Sequence, residues 1–200
     1  LGDVYKRQVQ GDAMTLDLPA LFAEHFAGMP VVVCANLPYY ITSPIIMRLL
    51  EGPLPIRSLT VMVQKEAAVR ITAAPGTREC GAISAAVWYY STPKLLFPVS
   101  RGSFLPAPAV DSAVIRLDLP QELPEDLPPR EDFFAVVRAG FGQRRKTMLN
   151  SLSAGLRWEK DATRALLTAA GIAENARAEQ VTLEQWKALT RAYFSMKKSR

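Results

Sequence analysis

The sequence predicts an α/β domain followed by a small all-helical one, and three observations carry that reading. Short apolar runs alternate with helical patterns through the first half, as in β-α units on a mostly parallel sheet. A stretch with four prolines and several acidic residues, 120–129, can sustain neither a helix nor a central strand. Four further helical patterns and no strand pattern follow it. With 200 residues, 49% of them hydrophobic, the chain has enough apolar surface for one ordinary domain and a small appendage.

Taken in order, residues 1–8 begin without methionine and carry neither a secretory apolar core nor a clean amphipathic pattern, so they are set aside as candidate non-native sequence. Residues 9–122 form the α/β part. Residues 16–26 are amphipathic, 31–35 read as a buried strand, 43–51 as a helix opened by Ser43 with Pro44 in its first turn, and 58–64 as a second buried strand. A helix is expected over 65–72, broken by 73–76. Residues 81–90 are apolar enough for helix or strand, and helix is favoured. Proline-punctuated strands are expected at 94–99 and 112–119, flanking a loop at 101–111 too apolar to be a plain linker. The linker proper is placed at 123–129, and residues 130–200 form the helical domain, with helices at 132–140, 146–155, 160–171 and 182–195. Several of these close on glycine, and the last opens on Thr182 with Glu184 and Gln185 behind it.

Charge is unevenly spread. Residues 1–129 hold 10 Lys and Arg against 12 Asp and Glu, net −2, whereas residues 130–200 hold 14 against 7, net +7. A polyanion bound mainly through the last third is one reading, and a solvated helical surface is the other. The longest apolar runs fall far short of the roughly 20 residues that span a bilayer. Cys34 and Cys80 show no metal or disulfide spacing. These features point to a cytoplasmic setting with no membrane partner and no metal.

The chemistry concentrates in four places. Asn36-Leu37-Pro38-Tyr39 follows the strand at 31–35, at the strand end where open α/β sheets bind ligands. An adenine amine is a poor nucleophile, because its lone pair is delocalised into the ring. A site that alkylates it must hold both N–H groups with acceptors and aim the lone pair at the donor. Asn36 supplies a side-chain carbonyl, Pro38 fixes the turn so that a main-chain carbonyl can be the second acceptor, and Tyr39 offers a face for a flipped base. An ordinary strand-to-turn transition explains the same residues without chemistry. Asp12, in Gly11-Asp12-Ala13, stands after a short strand signal and could accept from the amine of a bound adenosine, or simply cap the next helix. Phe104, in the proline-stiffened run 104–112, could cover the other face of the base or plug the core. Arg144, Arg145 and Lys146, with Arg138 one or two turns earlier, could grip phosphates.

At these positions the chain resembles the bacterial small-subunit ribosomal RNA adenine dimethyltransferases, the family of the kasugamycin-resistance methylase. Gly11 to Met14, Asn36 to Pro44, Gln64-Lys65-Glu66, Phe104 to Val114, Phe141 to Thr147 and Asn150-Ser151-Leu152 match in the family's order. The resemblance implies a partial Rossmann-like S-adenosylmethionine-dependent methyltransferase domain with a small helical C-terminal domain. It implies that Asp12 and Ala13, with Asn36 and Leu37, bind S-adenosylmethionine, and that Asn36, Pro38, Tyr39 and Phe104 form the catalytic group. It also implies dimethylation of two adjacent adenosines near the 3' end of small-subunit (16S) rRNA, performed by a monomer on the assembling small ribosomal subunit. Members carry a basic segment, a glycine-rich cofactor loop and an acidic ribose-binding residue ahead of this region, and none precedes Val9. The chain is therefore expected to hold the C-terminal two thirds of such an enzyme and to lack part of the cofactor site. Two other readings stand beside this one: a macrolide-resistance type of large-subunit rRNA adenine methyltransferase, and a non-catalytic RNA-binding assembly factor.

Overall fold

A computed structural model describes residues 7–198; most of the segment set aside at 1–8 lies outside the described residues. Four strands form one sheet: β1 (Val31–Asn36), β2 (Ile56–Gln64), β3 (Thr92–Val99) and β4 (Ser112–Asp118). Their order is β1-β2-β4-β3. β1 pairs with β2 in parallel, and β4 pairs antiparallel with both β2 and β3. The mostly parallel sheet expected from the sequence holds for three of the four strands. β1, β2 and β3 share a direction, but β4 returns through the 101–111 loop and inserts reversed between β2 and β3. β2 is the spine of the core, with Leu59, Val61 and Val63 all fully buried. β3 is an edge strand, which is why it tolerates Pro93 and Pro98 and leaves Leu95, Leu96 and Phe97 about half exposed.

The helices on this sheet are α1 (Leu18–Phe26), α2 (Thr42–Glu51), α3 (Lys65–Thr72) and α4 (Ala82–Tyr90). α3 has the expected bounds, and the ambiguous apolar stretch 81–90 is helical. α2 starts one residue before the expected Ser43 cap. A 3-10 turn, Tyr39–Ile41, runs straight into it, and Ile41 at the cap position makes no side-chain cap bond. The expected strand ahead of Asp12 is not formed: residues 7–10 join no ladder. Asp12 does not cap α1 either. Asp17 does, accepting from the Ala20 N–H at 3.0 Å.

Beyond the proline-rich stretch come α5 (Arg130–Phe141), α6 (Met148–Leu156), α7 (Lys160–Ala169) and α8 (Leu183–Lys198), with α5 packed on both α6 and α8. The Thr182 cap is reciprocal: Gln185 N–H donates to Thr182 Oγ1 at 3.3 Å, and Thr182 N–H donates to Gln185 Oε1 at 3.1 Å. The buried core runs on from the sheet into these helices. Tyr89 of α4 lies 4.6 Å from the Phe133 ring of α5, and its hydroxyl donates to the Pro128 carbonyl at 2.9 Å. That bond ties the proline-rich stretch to α4.

Tyr90, beside it, is buried, and its hydroxyl meets no hydrogen-bond partner within bonding distance among the described residues. Burial pushes its pKa up to about 12 from an ordinary 10.0, against the weaker opposing pull of the Arg130 charge. A raised phenol pKa gives stability that is complete below pH 10 and declines as pH rises from 10 toward 12. Tyr90→Phe should leave stability at pH 7 within about 1 kcal/mol of the parent, because the hydroxyl makes no close hydrogen bond among the described residues. The same variant should shrink the loss of stability between pH 7 and 11, as read by urea unfolding at both values. Part of that alkaline limb will persist, because burial also raises the Tyr89 phenol.

Candidate active site

The last residue of β1 is Asn36, paired in the ladder with Met62 of β2. The chain leaves the sheet there and turns within three residues. Leu37 is buried, its N–H donating to the Met62 carbonyl at 3.2 Å, and this roots the turn in the core. Pro38 is extended, with φ −60° and ψ 131°, which swings Tyr39 into the 3-10 turn. The Pro38 carbonyl is already engaged by the Ile41 N–H at 3.2 Å and by the Thr42 hydroxyl at 3.1 Å. The Leu37 carbonyl accepts no bond among the described residues and is the free main-chain acceptor of the turn. Asn36 is exposed, and no described residue hydrogen-bonds its side chain.

Across from this turn stands the 101–111 loop. Asn36, Leu37, Pro38 and Tyr39 on one side, with Phe104, Pro106 and Pro108 on the other, line an open, shallow cleft of about 390 Å³. The four sequence-predicted catalytic residues thus line one space, although Phe104 and Asn36 are 68 positions apart in the chain. Half-buried Tyr39 has its ring held by a partner that the residue pattern did not single out. Its hydroxyl shares a 2.6 Å hydrogen bond with Oγ of Ser112, which is fully buried at the start of β4. A tyrosine hydroxyl in a turn beside a serine buried 73 positions away, at the start of β4, leaves no signal in a single sequence.

Asp12 and Ala13 lie in an exposed turn outside the lining of this cleft. The Asp12 Oδ1 accepts from the Met14 N–H at 2.8 Å, so one carboxylate oxygen orders the turn and the other is free. Arg48 of α2 donates to the Leu16 carbonyl, which fastens that turn to the helix following Tyr39. Arg138, Arg144, Arg145 and Lys146 are all exposed, the last three in the turn between α5 and α6. Of these four, Arg144 reaches a cavity of about 570 Å³ that also takes in Lys65, Arg70 and Arg78.

Comparison with known proteins decides the family. The model of the ribosomal RNA adenine dimethylases matches residues 6–194, nearly the whole chain. The chain belongs to the ribosomal RNA adenine dimethylase family. Among curated members, ribosomal RNA small subunit methyltransferase A of Alkaliphilus oremlandii is 50% identical over 183 residues, covering 90% of this chain and 63% of that protein. Its counterpart in Geobacillus sp. strain WCH70 is 43% identical over 190 residues, covering 93% and 65%. The chain therefore spans slightly less than two thirds of the length of these relatives. Among solved structures, the 23S rRNA methyltransferase ErmE superposes with a TM-score of 0.64 at 27% identity, covering 92% of this chain and 70% of that one. A dimethyladenosine transferase from Plasmodium falciparum superposes at 0.71, over 94% of this chain and 72% of that one. At 23% identity this second likeness bears on the fold alone. Both likenesses agree with the Rossmann-like methyltransferase fold and helical C-terminal part expected for a dimethylase.

Proposed function

We propose that this dimethylase chain holds the target-base part of an enzyme that dimethylates the exocyclic amino groups of two adjacent adenosines near the 3' end of 16S rRNA. On this reading it acts as a cytoplasmic monomer on the assembling small subunit. The observation that carries the proposal is the single cleft formed by the Asn36 to Tyr39 turn and Phe104. When bound, S-adenosylmethionine supplies an electrophilic methyl group. The chain's own residues do the rest. Asn36 Oδ1 and the Leu37 carbonyl, the two free acceptors of the turn, hold the two amine N–H groups and so aim the nitrogen lone pair outward from the ring. Tyr39 and Phe104 take the flipped base between them. No general base is needed, since the methylated ammonium loses its proton readily to water.

Asp12 suits an adenosyl group in that one of its carboxylate oxygens is free to accept from an exocyclic amine; Ala13 and Leu37 stand as the other proposed contacts. Residues 130–200 supply the RNA grip through Arg138, Arg144, Arg145 and Lys146, with 123–129 as the link between the two parts. The 42–50% identity to relatives named for the small subunit favours that substrate over the large-subunit one. The test is methyl transfer by the full-length protein from labelled S-adenosylmethionine to small and large ribosomal subunits purified from a strain lacking these modifications. Label confined to adjacent adenosines of the small subunit is expected. Label in the large subunit would move the chain to the macrolide-resistance class, and no label in either would leave an RNA-binding assembly factor.

A further inference from the structure

The two sides of the base cleft are joined at one place in the chain, where the 101–111 loop runs into β4. Ser112, the first residue of β4, is fully buried and pairs in the ladder with Gln64 at the end of β2. Its Oγ shares the 2.6 Å hydrogen bond with the Tyr39 hydroxyl, and neither hydroxyl meets another hydrogen-bond partner among the described residues. Asp111, one residue earlier, serves the opposite side. Its Oδ1 accepts from the Arg101 N–H at 3.0 Å, which closes the loop end to end. Its carbonyl accepts from the N–H of Lys65, the first residue of α3, at 3.0 Å, which fastens that closure to the helix.

Phe104 hangs from this closure. Its N–H donates to the Arg101 carbonyl at 3.3 Å, and the Arg101 guanidinium reaches across the loop to the Ala109 carbonyl at 3.4 Å. A single residue, Arg101, therefore links the Asp111 carboxylate to the backbone that bears the Phe104 ring. Tyr39 and Phe104 are each only half-buried, so packing alone leaves both rings room to swing. The two bonds limit that swing in different ways. Ser112 holds the far end of the Tyr39 phenol, whereas Asp111 holds the main chain beneath Phe104.

We infer that Asp111 and Ser112 are a pair of positioning residues that set the two aromatic faces of the base site against each other, Ser112 through the Tyr39 hydroxyl and Asp111 through the Arg101 turn that bears Phe104. The inference rests on the base site proposed above. Neither residue lines the cleft, so each acts through another. A base gripped between two rings is placed only as well as the rings are, and a displacement of about 1 Å costs on the order of 10²-fold in rate. Burial keeps the Ser112 end of the tether in place. A hydroxyl without solvent contact has no water to exchange for Tyr39, so the bond is not traded away.

The test is single-turnover methylation of saturating, unmethylated small ribosomal subunits by the full-length protein and five variants: Ser112→Ala, Tyr39→Phe, the two combined, Asp111→Ala and Asp111→Asn. Ser112→Ala and Tyr39→Phe each remove one oxygen and leave the β4 ladder and the ring face in place, so both proteins should fold. Each should slow methylation about tenfold, and the double variant should be no slower than either single one, because both changes delete the same bond. Asp111→Ala should slow the reaction similarly, and Asp111→Asn should restore it, because an amide oxygen still accepts from the Arg101 N–H. A merely structural Ser112 would slow the Tyr39→Phe protein as much as it slows the parent, and a merely electrostatic Asp111 would not be rescued by asparagine. Multiplying effects of Ser112→Ala and Tyr39→Phe, or an Asp111→Asn protein as slow as Asp111→Ala, would overturn the pair while leaving the proposed methyl transfer standing. No methylation by the unmutated protein would remove both.

Discussion

Replacing Asn36 by alanine should lower kcat for adenosine methylation by on the order of 10²–10³-fold while the protein melts within about 2 °C of the parent. The magnitude is that of removing one preorganised hydrogen-bonding group aimed at the reacting centre. The separation of the two effects follows from position. The Asn36 side chain is exposed and bonded to no described residue, so the fold gains nothing from it. On the role proposed for it, Asn36 counts in the chemistry, because a site with only the Leu37 carbonyl left would hold one amine N–H and leave the lone pair free to stay conjugated with the ring. Tyr39→Ala gives the contrast. It removes a stacking face worth about 1–3 kcal/mol per base, and its loss should appear largely in KM. Single-turnover methylation of unmethylated small subunits separates the two variants. An Asn36→Ala protein within threefold of the parent would show that the turn is structural only.

That Asn36 could be singled out from sequence while Ser112 could not shows where single-sequence reading reaches and where it stops. Asn36 stands at a strand end that a run of β-branched and apolar residues announces, followed by a proline that must turn the chain. Both signals are local. The helix 65–72, and the one expected over 160–171 and found over 160–169, were legible for the same reason, each with an apolar face at helical spacing, and Thr182 was legible as a cap from its partner three residues on. The direction of β4 was not, because alternation of apolar residues in 112–118 is identical whichever way the strand runs. Its reversal follows from pairing with β2 and β3. The failure of the capping alternative for Asp12 has the same origin. Asp12 and Asp17 both precede α1, and only the path of the chain decides that Asp17 meets the Ala20 N–H while Asp12 orders its own turn.

The largest effect on stability should come from Trp186→Ala, at about 3–5 kcal/mol, and its cause can be isolated by a second site. Trp186 of α8 is fully buried and stacks on Phe141 of α5, with ring centroids 5.6 Å apart and planes 25° from parallel. Its six-membered ring fills the space left by Gly140. A Cβ added there would meet Trp186 Cη2 at 2.5 Å, closer than real atoms come. Gly140→Ala alone therefore sets about 1 kcal/mol of helix propensity gained against about 1–3 kcal/mol of overpacking, and the collision wins. In a Trp186→Phe background the colliding atoms are gone, and the indole N–H, which has no partner among the described residues, goes with them. Gly140→Ala should then become stabilising. Urea unfolding of the four proteins should give a coupling energy above about 1 kcal/mol, and additive single effects would mean that α5 and α8 do not meet here as described. The same contact reaches the turn proposed to grip RNA. Phe141 is the last residue of α5, and the turn bearing Arg144 and Arg145 begins at the next position, so Trp186→Ala should weaken RNA binding even at temperatures where the protein remains folded.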